Sequence, residues 1–497
     1  LDSISKHFLG RGKILHKEKI IELYTNNKEK LKEYNIEDSL LVKDLDEKLG
    51  VSDMMIRQAG WCKVPIEDFG LYSILDAYML RMAHSVGKMA PTSKTALAET
   101  IFSEEKDDDD KPRQGKENPD DADTEKKKYL GAEVLEPVIG RYKKVYSFDF
   151  KSLYPSIMIS SNIGYDTILT EDTPGAIVNP GTATIKRKSK QLVPTWFSQT
   201  PSIVALTLRQ LMEKRKEFKK LKLQLIEEEK DSGPSWERVV SDEIIVKELS
   251  NSIYGIMGLK YGRYFSVDIA ESITLMGQWC IRNAKKYFEF LGHKVIYGDT
   301  DSVFVATESK VDPEEMLRGY HEQLKKTLQV NCNISESILQ LEFDKEYNSF
   351  ILVAKKNYTG RVINIEGKKT NQLYTRGLAF IKKDTFSFAS KKQKELAELL
   401  LKGMTLEEAK DWMSEVKKEF DETKFSREEL TIIKRIGRKP SSYLKNLPVH
   451  VRIAIDRKSY IGEVTKGKEV EYVVTGTEPL ITGELAELWE GDYDKQY

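Results

Sequence analysis

The stretch "HKVIYGDTDSVFVA", His293 to Ala306, sets two aspartates, Asp299 and Asp301, inside near-continuous apolar sequence. "KVIY" and "VFVA" read as strands of a covered sheet, joined by a turn at Gly298-Asp299-Thr300-Asp301. Asp and Gly suit turns on backbone grounds alone, so by itself the stretch is a plain hairpin. The apolar flanks argue for more. Two carboxylates in such a setting repel each other and lose hydration unless a cation joins them, and a hard divalent ion, Mg²⁺ above all, meets that need with oxygen ligands.

Upstream, "YKKVYSFDFKSLYPS" alternates Tyr146, Phe148 and Phe150 with Val145, Ser147 and Asp149, as in a strand with two distinct faces. Asp149 ends that strand and is the candidate third carboxylate. Ser152 to Ser156 then turn the chain into a short helix, with backbone N–H groups able to face phosphate oxygens. A turn or helix-capping aspartate explains "DFKSLYPS" equally well when it stands alone.

Between these stretches, residues 201–229 read as a long helix with Thr200 as N-cap and Pro201 at its first position. "DSGPS" (231–235) breaks it, and 236–258 resumes as a second helix, which favours an antiparallel pair. Lys247, Asn251 and Tyr254 share one face of the second helix, while Ile245, Leu249 and Ile253 share the opposite one. Plain amphipathicity does not explain a Tyr and an Asn-Ser pair on the solvated side, ending at Gly255 where a flat ligand could approach. Arg215 and Lys219 lie one turn apart on the first helix. Residues 266–292 read as helical, mixed elements continue to about 372, and a helix-rich basic region follows. Ahead of everything, "NIEDSLLVKDLDEKLGVSDMMIRQAG" and "LYSILDAYMLRMAHSVGKM" carry helical apolar spacing.

The 497 residues carry 79 Lys/Arg and 79 Asp/Glu. The balance is local: segment 99–125 has twelve acids against four bases and reads as a flexible acidic loop, which leaves the remainder at +8. Residues 431–460 hold eight Lys/Arg and one acid, Asp456. Cys62, Cys280 and Cys332 form no CxxC pair, which excludes a disulfide framework or zinc ribbon. No apolar run spans a bilayer and no secretory leader opens the chain, so a cytoplasmic, nucleoid or viral-replication-site protein is expected. Leu at position 1 suggests a chain cut from something longer.

Carboxylates for metal, cations for a polyphosphate and an aromatic platform for a base together describe a phosphoryl-transfer site. At this point the sequence resembles the family B DNA polymerases: "DFKSLYPS" (149–156) is similar to motif A, "KELSNSIYG" (247–255) to motif B and "YGDTDS" (297–302) to motif C, in the family's order. "AKKNYTG" (354–360) resembles the KKxY primer-contact motif, with Asn357 where Arg is usual, and "KNLPVHVRIAI" (445–455) a thumb segment. A family-typical Arg appears as Gln278, to which no site role is given.

The resemblance implies an α+β right-hand polymerase fold of palm, fingers and thumb behind a helical exonuclease remnant. The expected units are the remnant (1–60), connecting helices with the acidic loop (61–126), palm (127–200 and 259–372), fingers (201–258) and thumb (373–497). It implies template-directed DNA synthesis from dNTPs on primer-template DNA, with two Mg²⁺ ions held about 3.5–4 Å apart by Asp149, Asp301 and the Phe150 carbonyl, and Asp299 beside them. Ser152, Leu153, Tyr154, Arg215, Lys219, Lys247, Asn251 and Tyr254 would bind the nucleotide, Lys247 would protonate the leaving group, and Tyr154 would exclude a 2′-hydroxyl. Lys355, Lys356 and Tyr358 would contact DNA. "YNIED" (Tyr34 to Asp38) resembles the third exonuclease motif; the first two are absent, so the chain alone should not proofread, and a second polypeptide could supply the rest. A sliding clamp is a further conceivable partner. The alternatives are a ribonucleotide-polymerising or reverse-transcribing palm enzyme, and a catalytically silent DNA-binding scaffold or subunit of a split polymerase.

Overall fold

Val145 to Phe150 forms the strand that the alternation predicts, yet neither face is solvated: every residue but Asp149 is buried. The reason is its central place in a seven-stranded sheet. The computed structural model describes residues 1–14, 20–92, 131–182, 186–187, 190–191, 195–228, 230–259, 262–308, 311–443, 447–476, 481–491 and 493. The acidic segment 99–125, Lys445, Asn446 and the final "DKQY" lie outside them.

The sheet strands are β1 (Gly140–Tyr142), β2 (Val145–Phe150), β3 (Lys294–Asp299), β4 (Ser302–Ala306), β5 (Leu341–Ala354), β6 (Asn357–Ile365) and β7 (Lys368–Arg376). Their order is β7-β6-β5-β2-β4-β3, with β1 also on β5 and every pairing antiparallel. β3 and β4 form the expected covered hairpin, with Thr300 at its tip in the left-handed region (φ 60°). Register opposes Ser302 to Asp149 on one side of β4 and to Asp299 on the other, while Glu342 of β5 faces Asp149 across β2.

The helices are α1 (Leu153–Ser160), α2 (Ile203–Glu227), α3 (Pro234–Met257), α4 (Val267–Phe290) and α5 (Pro313–Cys332). α4 lies under the sheet, where Phe288 stacks on Phe148 with centroids 4.9 Å apart. α2 and α3 make the predicted hairpin, but α2 is capped by Ser202 rather than Thr200: Ser202 Oγ accepts from the Ala205 N–H at 2.9 Å, while the Thr200 carbonyl accepts from Asn162. α3 starts two residues before the sequence reading because Pro234 fits the first helical turn. Ile245, Leu249 and Ile253 are buried as expected, with Lys247 and Asn251 exposed.

The N-terminal region is helical, but Gly50 in the left-handed region splits the first long stretch into Lys28–Leu49 and Val51–Cys62. Val51–Cys62 and the following helix Leu71–Ser85 brace the hairpin: Arg57 pairs with Asp242 at 3.8 Å, and Tyr78 donates to Gln210 at 2.7 Å. Beyond β7 the expected helices Ser387–Lys402 and Leu406–Glu422 are joined by an unforeseen three-stranded sheet, Ile432–Arg435, Glu469–Gly476 and Thr482–Leu485. Ile432, Ile436, Val451 and Tyr472 form its separate core. Among the described residues, no helix is long and apolar enough to cross a membrane.

Candidate active site

β2 and the β3–β4 turn bring two carboxylates to one end of the central strands. The Phe150 N–H donates to the Asp301 carbonyl at 2.8 Å, so the end of β2 is locked to the hairpin turn and Asp149 stands beside Asp301. At the turn itself, the Asp301 N–H donates to the Asp299 carbonyl at 2.6 Å and the Thr300 N–H to the Glu133 carbonyl at 2.8 Å. After β2, Lys151 N–H donates to the Gln340 carbonyl, and Ser152 turns the chain with φ 45° and ψ 55° into α1. Ser156 Oγ closes that turn by donating to the Lys151 carbonyl at 2.9 Å.

Burial is the first cause of the electrostatics, with like charge second. Asp149 is pushed up to about 7 by burial and then by Asp301 and Asp344, with Lys345 opposing. Asp301 is also raised, chiefly by burial, with Asp299 and Asp344 adding and Lys356 opposing. The nearby lysines are engaged elsewhere: Lys151 on Glu342, Lys345 on Asp344 and Lys356 on Asp299. Among the described residues, Asp149 and Asp301 therefore lack a counter-ion from the chain. Their donor set is all oxygen and negatively charged, which fits a hard divalent cation. No three His, Cys, Asp or Glu among the described residues form a ready-made metal cage. Mg²⁺ does not require one, since it binds through one or two carboxylates and completes its shell with water and substrate phosphates.

The two aspartates open into a cleft of about 1180 Å³. Phe150, Ser152, Leu153, Tyr154, Arg215, Lys219, Lys247 and Asn251 line it with Asp149 and Asp301. Residues from α1, α2 and α3 that lie far apart in sequence thus meet around one space. Tyr254 is not part of the lining, but its ring packs on Tyr154 with centroids 4.6 Å apart at 44°. Tyr154 is held from below by α4, where Gly277 leaves room: a Cβ there would be 3.2 Å from Tyr154 Cε1.

Other candidates sit outside the lining. Asp299 is ion-paired with Lys356 at 2.6 Å, and Lys355 with Glu136 at 2.5 Å. Tyr358 is buried in an aromatic cluster with Tyr297, Phe304, Phe350 and Tyr374, so its ring is not presented on the surface. Gln278 is buried and donates to the Gly131 carbonyl at 2.6 Å. Tyr34 and Asp38 lie on the helix Lys28–Leu49, where Lys13 Nζ reaches Asp38 Oδ2 at 2.6 Å and the Tyr34 hydroxyl at 3.2 Å.

Sequence reading missed Glu342, Asp344 and His321, which also line the cleft. His321 Nε2 lies 3.0 Å from the Leu341 carbonyl and 3.1 Å from its N–H, pinning α5 to the start of β5, and burial pushes its pKa down. Alternation in "LEFD" marks Glu342 and Asp344 as same-face residues, but only the β2–β5 register puts them beside Asp149.

A sheet whose Asp149 and Asp301 end opens onto one cleft with Arg215, Lys219 and Lys247 of a helical hairpin makes this an α+β protein with carboxylates and cations gathered at a single site. The chain belongs to DNA polymerase family B, whose family description matches residues 77–491. It is 33% identical to a DNA polymerase of Archaeoglobus fulgidus over 331 residues, covering 66% of this chain and 38% of that protein. It is 27% identical to a DNA polymerase of Pyrococcus glycovorans, over 100% of this chain and 59% of the relative. The structure of the family B DNA polymerase from the hyperthermophilic archaeon Pyrobaculum calidifontis shares the fold with a TM-score of 0.56 at 23% identity, covering 100% of this chain and 59% of that one. The chain thus spans only 38–59% of the length of these proteins.

Proposed function

We propose that this chain is the catalytic core of a template-directed DNA polymerase, adding deoxynucleotides to a primer 3′-hydroxyl with release of pyrophosphate. The observation that carries the reading is the convergence of Asp149 and Asp301 with Arg215, Lys219 and Lys247 on one cleft. Asp149, Asp301 and the Phe150 carbonyl would hold Mg²⁺, two ions in all. When bound, such ions activate the attacking hydroxyl and stabilise the departing pyrophosphate.

The chain's own groups have separable tasks. Arg215, Lys219 and Lys247 neutralise the triphosphate, Ser152 and Leu153 offer backbone N–H groups to it, and Lys247 gives a proton to the leaving oxygen. Tyr154 fills the space a 2′-hydroxyl would need and is backed by Tyr254, while Asn251 lies against the nascent base pair. In this reading 127–200 and 259–372 act as palm, 201–258 as fingers, 373–497 as thumb, and 1–60 as an exonuclease remnant. Lys355 and Lys356 lie at the β5–β6 turn where a primer strand would pass, with Tyr358 supporting them from the core. A separate polypeptide carrying the remaining exonuclease and N-terminal parts, and a sliding clamp, are partners this reading admits.

The deciding experiment is primer extension by the purified chain with Mg²⁺ and either dNTPs or rNTPs. Template-dependent extension with dNTPs, lost in Asp301→Asn, is expected. A folded wild-type chain that binds primer-template but adds no nucleotide would overturn the reading in favour of a silent scaffold.

A further inference from the structure

The cations of the hairpin are not equivalent. Arg215, Lys219 and Lys222 recur along one face of α2, and Glu243 of α3 lies against that face, one turn before Lys247. Glu243 Oε1 is 3.8 Å from Arg215 Nε and its Oε2 is 3.5 Å from Lys222 Nζ. The Glu243 side chain is only 15% exposed, so solvent screens these contacts poorly. Glu243 does not line the cleft, whereas Arg215 does. Among the described residues, Lys219 and Lys247 have no ion-pair partner, which leaves Arg215 as the cleft cation of the hairpin that is tethered.

The tether is incomplete. Arg215 Nε is buried and without a hydrogen-bond partner, and 3.8 Å exceeds hydrogen-bond reach. A guanidinium is a rigid planar fork, so a carboxylate on its Nε side fixes the direction of the other edge. We propose that Glu243 is a positioning residue for nucleotide binding: from outside the cleft it orients the Arg215 guanidinium so that the remaining N–H groups meet the triphosphate, and the Nε–Glu243 hydrogen bond closes when nucleotide draws the two helices together. This inference rests on the polymerase reading above.

A different role makes the opposite forecast. If Glu243 merely dilutes the positive potential of the hairpin, removing its charge strengthens nucleotide binding. Steady-state extension by wild type, Glu243→Gln, Arg215→Ala and the double variant separates the two. Orientation through Arg215 raises the dNTP KM of Glu243→Gln by roughly 5–10-fold, within the coupling range of residues in one network, with kcat nearly unchanged. It also makes the double variant no worse than Arg215→Ala. Thermal unfolding of Glu243→Gln should stay close to wild type, which a purely structural role would not allow. An unchanged or lowered KM in Glu243→Gln, or additive losses in the double variant, overturns the inference while wild-type extension still upholds the polymerase. Absence of extension by folded wild type removes both.

Discussion

The Lys356 ammonium closes on both carboxylate oxygens of Asp299, at 2.6 and 2.7 Å, and ties the β5–β6 turn to the end of β3. The Lys356 N–H also donates to the Tyr297 hydroxyl at 2.9 Å, and the residue sits at φ 60°. Asp299 thus has an ion-pair partner where Asp301, two residues on, has none among the described residues.

That difference predicts unequal effects of removing the two charges. Asp149→Asn and Asp301→Asn should abolish single-turnover primer extension, whereas Asp299→Asn, which removes a charge outside the cleft lining that holds Lys356, should retain activity reduced by about 10–100-fold. Because Lys356 is 61% exposed, breaking the pair should change stability by less than about 1 kcal/mol. Asp299→Asn being as inactive as Asp301→Asn would show that Asp299 acts at the reacting atoms instead.

Tyr154 is fixed between Tyr254 and the α4 backbone, so sugar selection should respond to both sides of its ring. Tyr154→Ala should incorporate ribonucleotides more readily. Gly277→Ala puts a methyl 3.2 Å from Tyr154 Cε1, so the ring must give by a few tenths of an ångström, and should alter the dNTP-to-rNTP ratio, while the helix propensity gained, about 1 kcal/mol, offsets the tight contact in stability. Competition between dATP and ATP on one template reads both. An unchanged ratio in Tyr154→Ala would rule out the gate.

The same helix is gripped elsewhere by backbone. Asn179 donates to the Ser272 carbonyl at 2.8 Å and accepts from the Gly181 N–H at 2.9 Å, drawing Gly181 onto α4. A Cβ on Gly181 would lie 2.2 Å from the Leu275 oxygen, and that backbone atom cannot swing aside. Gly181→Ala should therefore lower stability by about 1–3 kcal/mol or more, visible in urea unfolding, without changing sugar selection. A wild-type unfolding midpoint would mean the loop can lift from the helix at no cost.

What was legible in the sequence was local. The Asp299–Asp301 turn, the shared face of Lys247, Asn251 and Tyr254, and the break before Pro234 follow from turn chemistry and helical period. What was not legible depended on partners far along the chain. Thr200 looks like a cap, but Asn162 takes the Ser198 and Thr200 carbonyls and accepts from the Ser202 N–H, which moves the helix start to Ser202. The four-residue strand Ile432–Arg435 finds its partner at Glu469–Tyr472, too distant and too short for a periodic signal. Glu342 and Asp344 enter the cleft only through a register that joins β5 to β2 across nearly 200 residues.

The raised carboxyl of Asp149 gives the last prediction its sign. Its pKa is about 7 in the fold against 3.8 as the ordinary value, chiefly from burial and then from Asp301. The folded chain therefore holds a proton that the unfolded chain releases between these values, so this group's contribution is full below the lower one and is lost as pH rises through the upper one. With metal chelated, wild type should lose stability relative to Asp149→Asn as pH is raised from about 5 to about 8. Comparing the two proteins cancels the titrating groups that do not interact with Asp149, and Asp301, which does, titrates with it as a pair. Added Mg²⁺ binds the ionised pair in preference to the unfolded chain, so it should raise the wild-type melting temperature at the alkaline end and do little for Asp149→Asn. A stability gap between the two proteins that stays flat across this range, or equal Mg²⁺ stabilisation of both, would mean that Asp149 titrates normally and holds no cation.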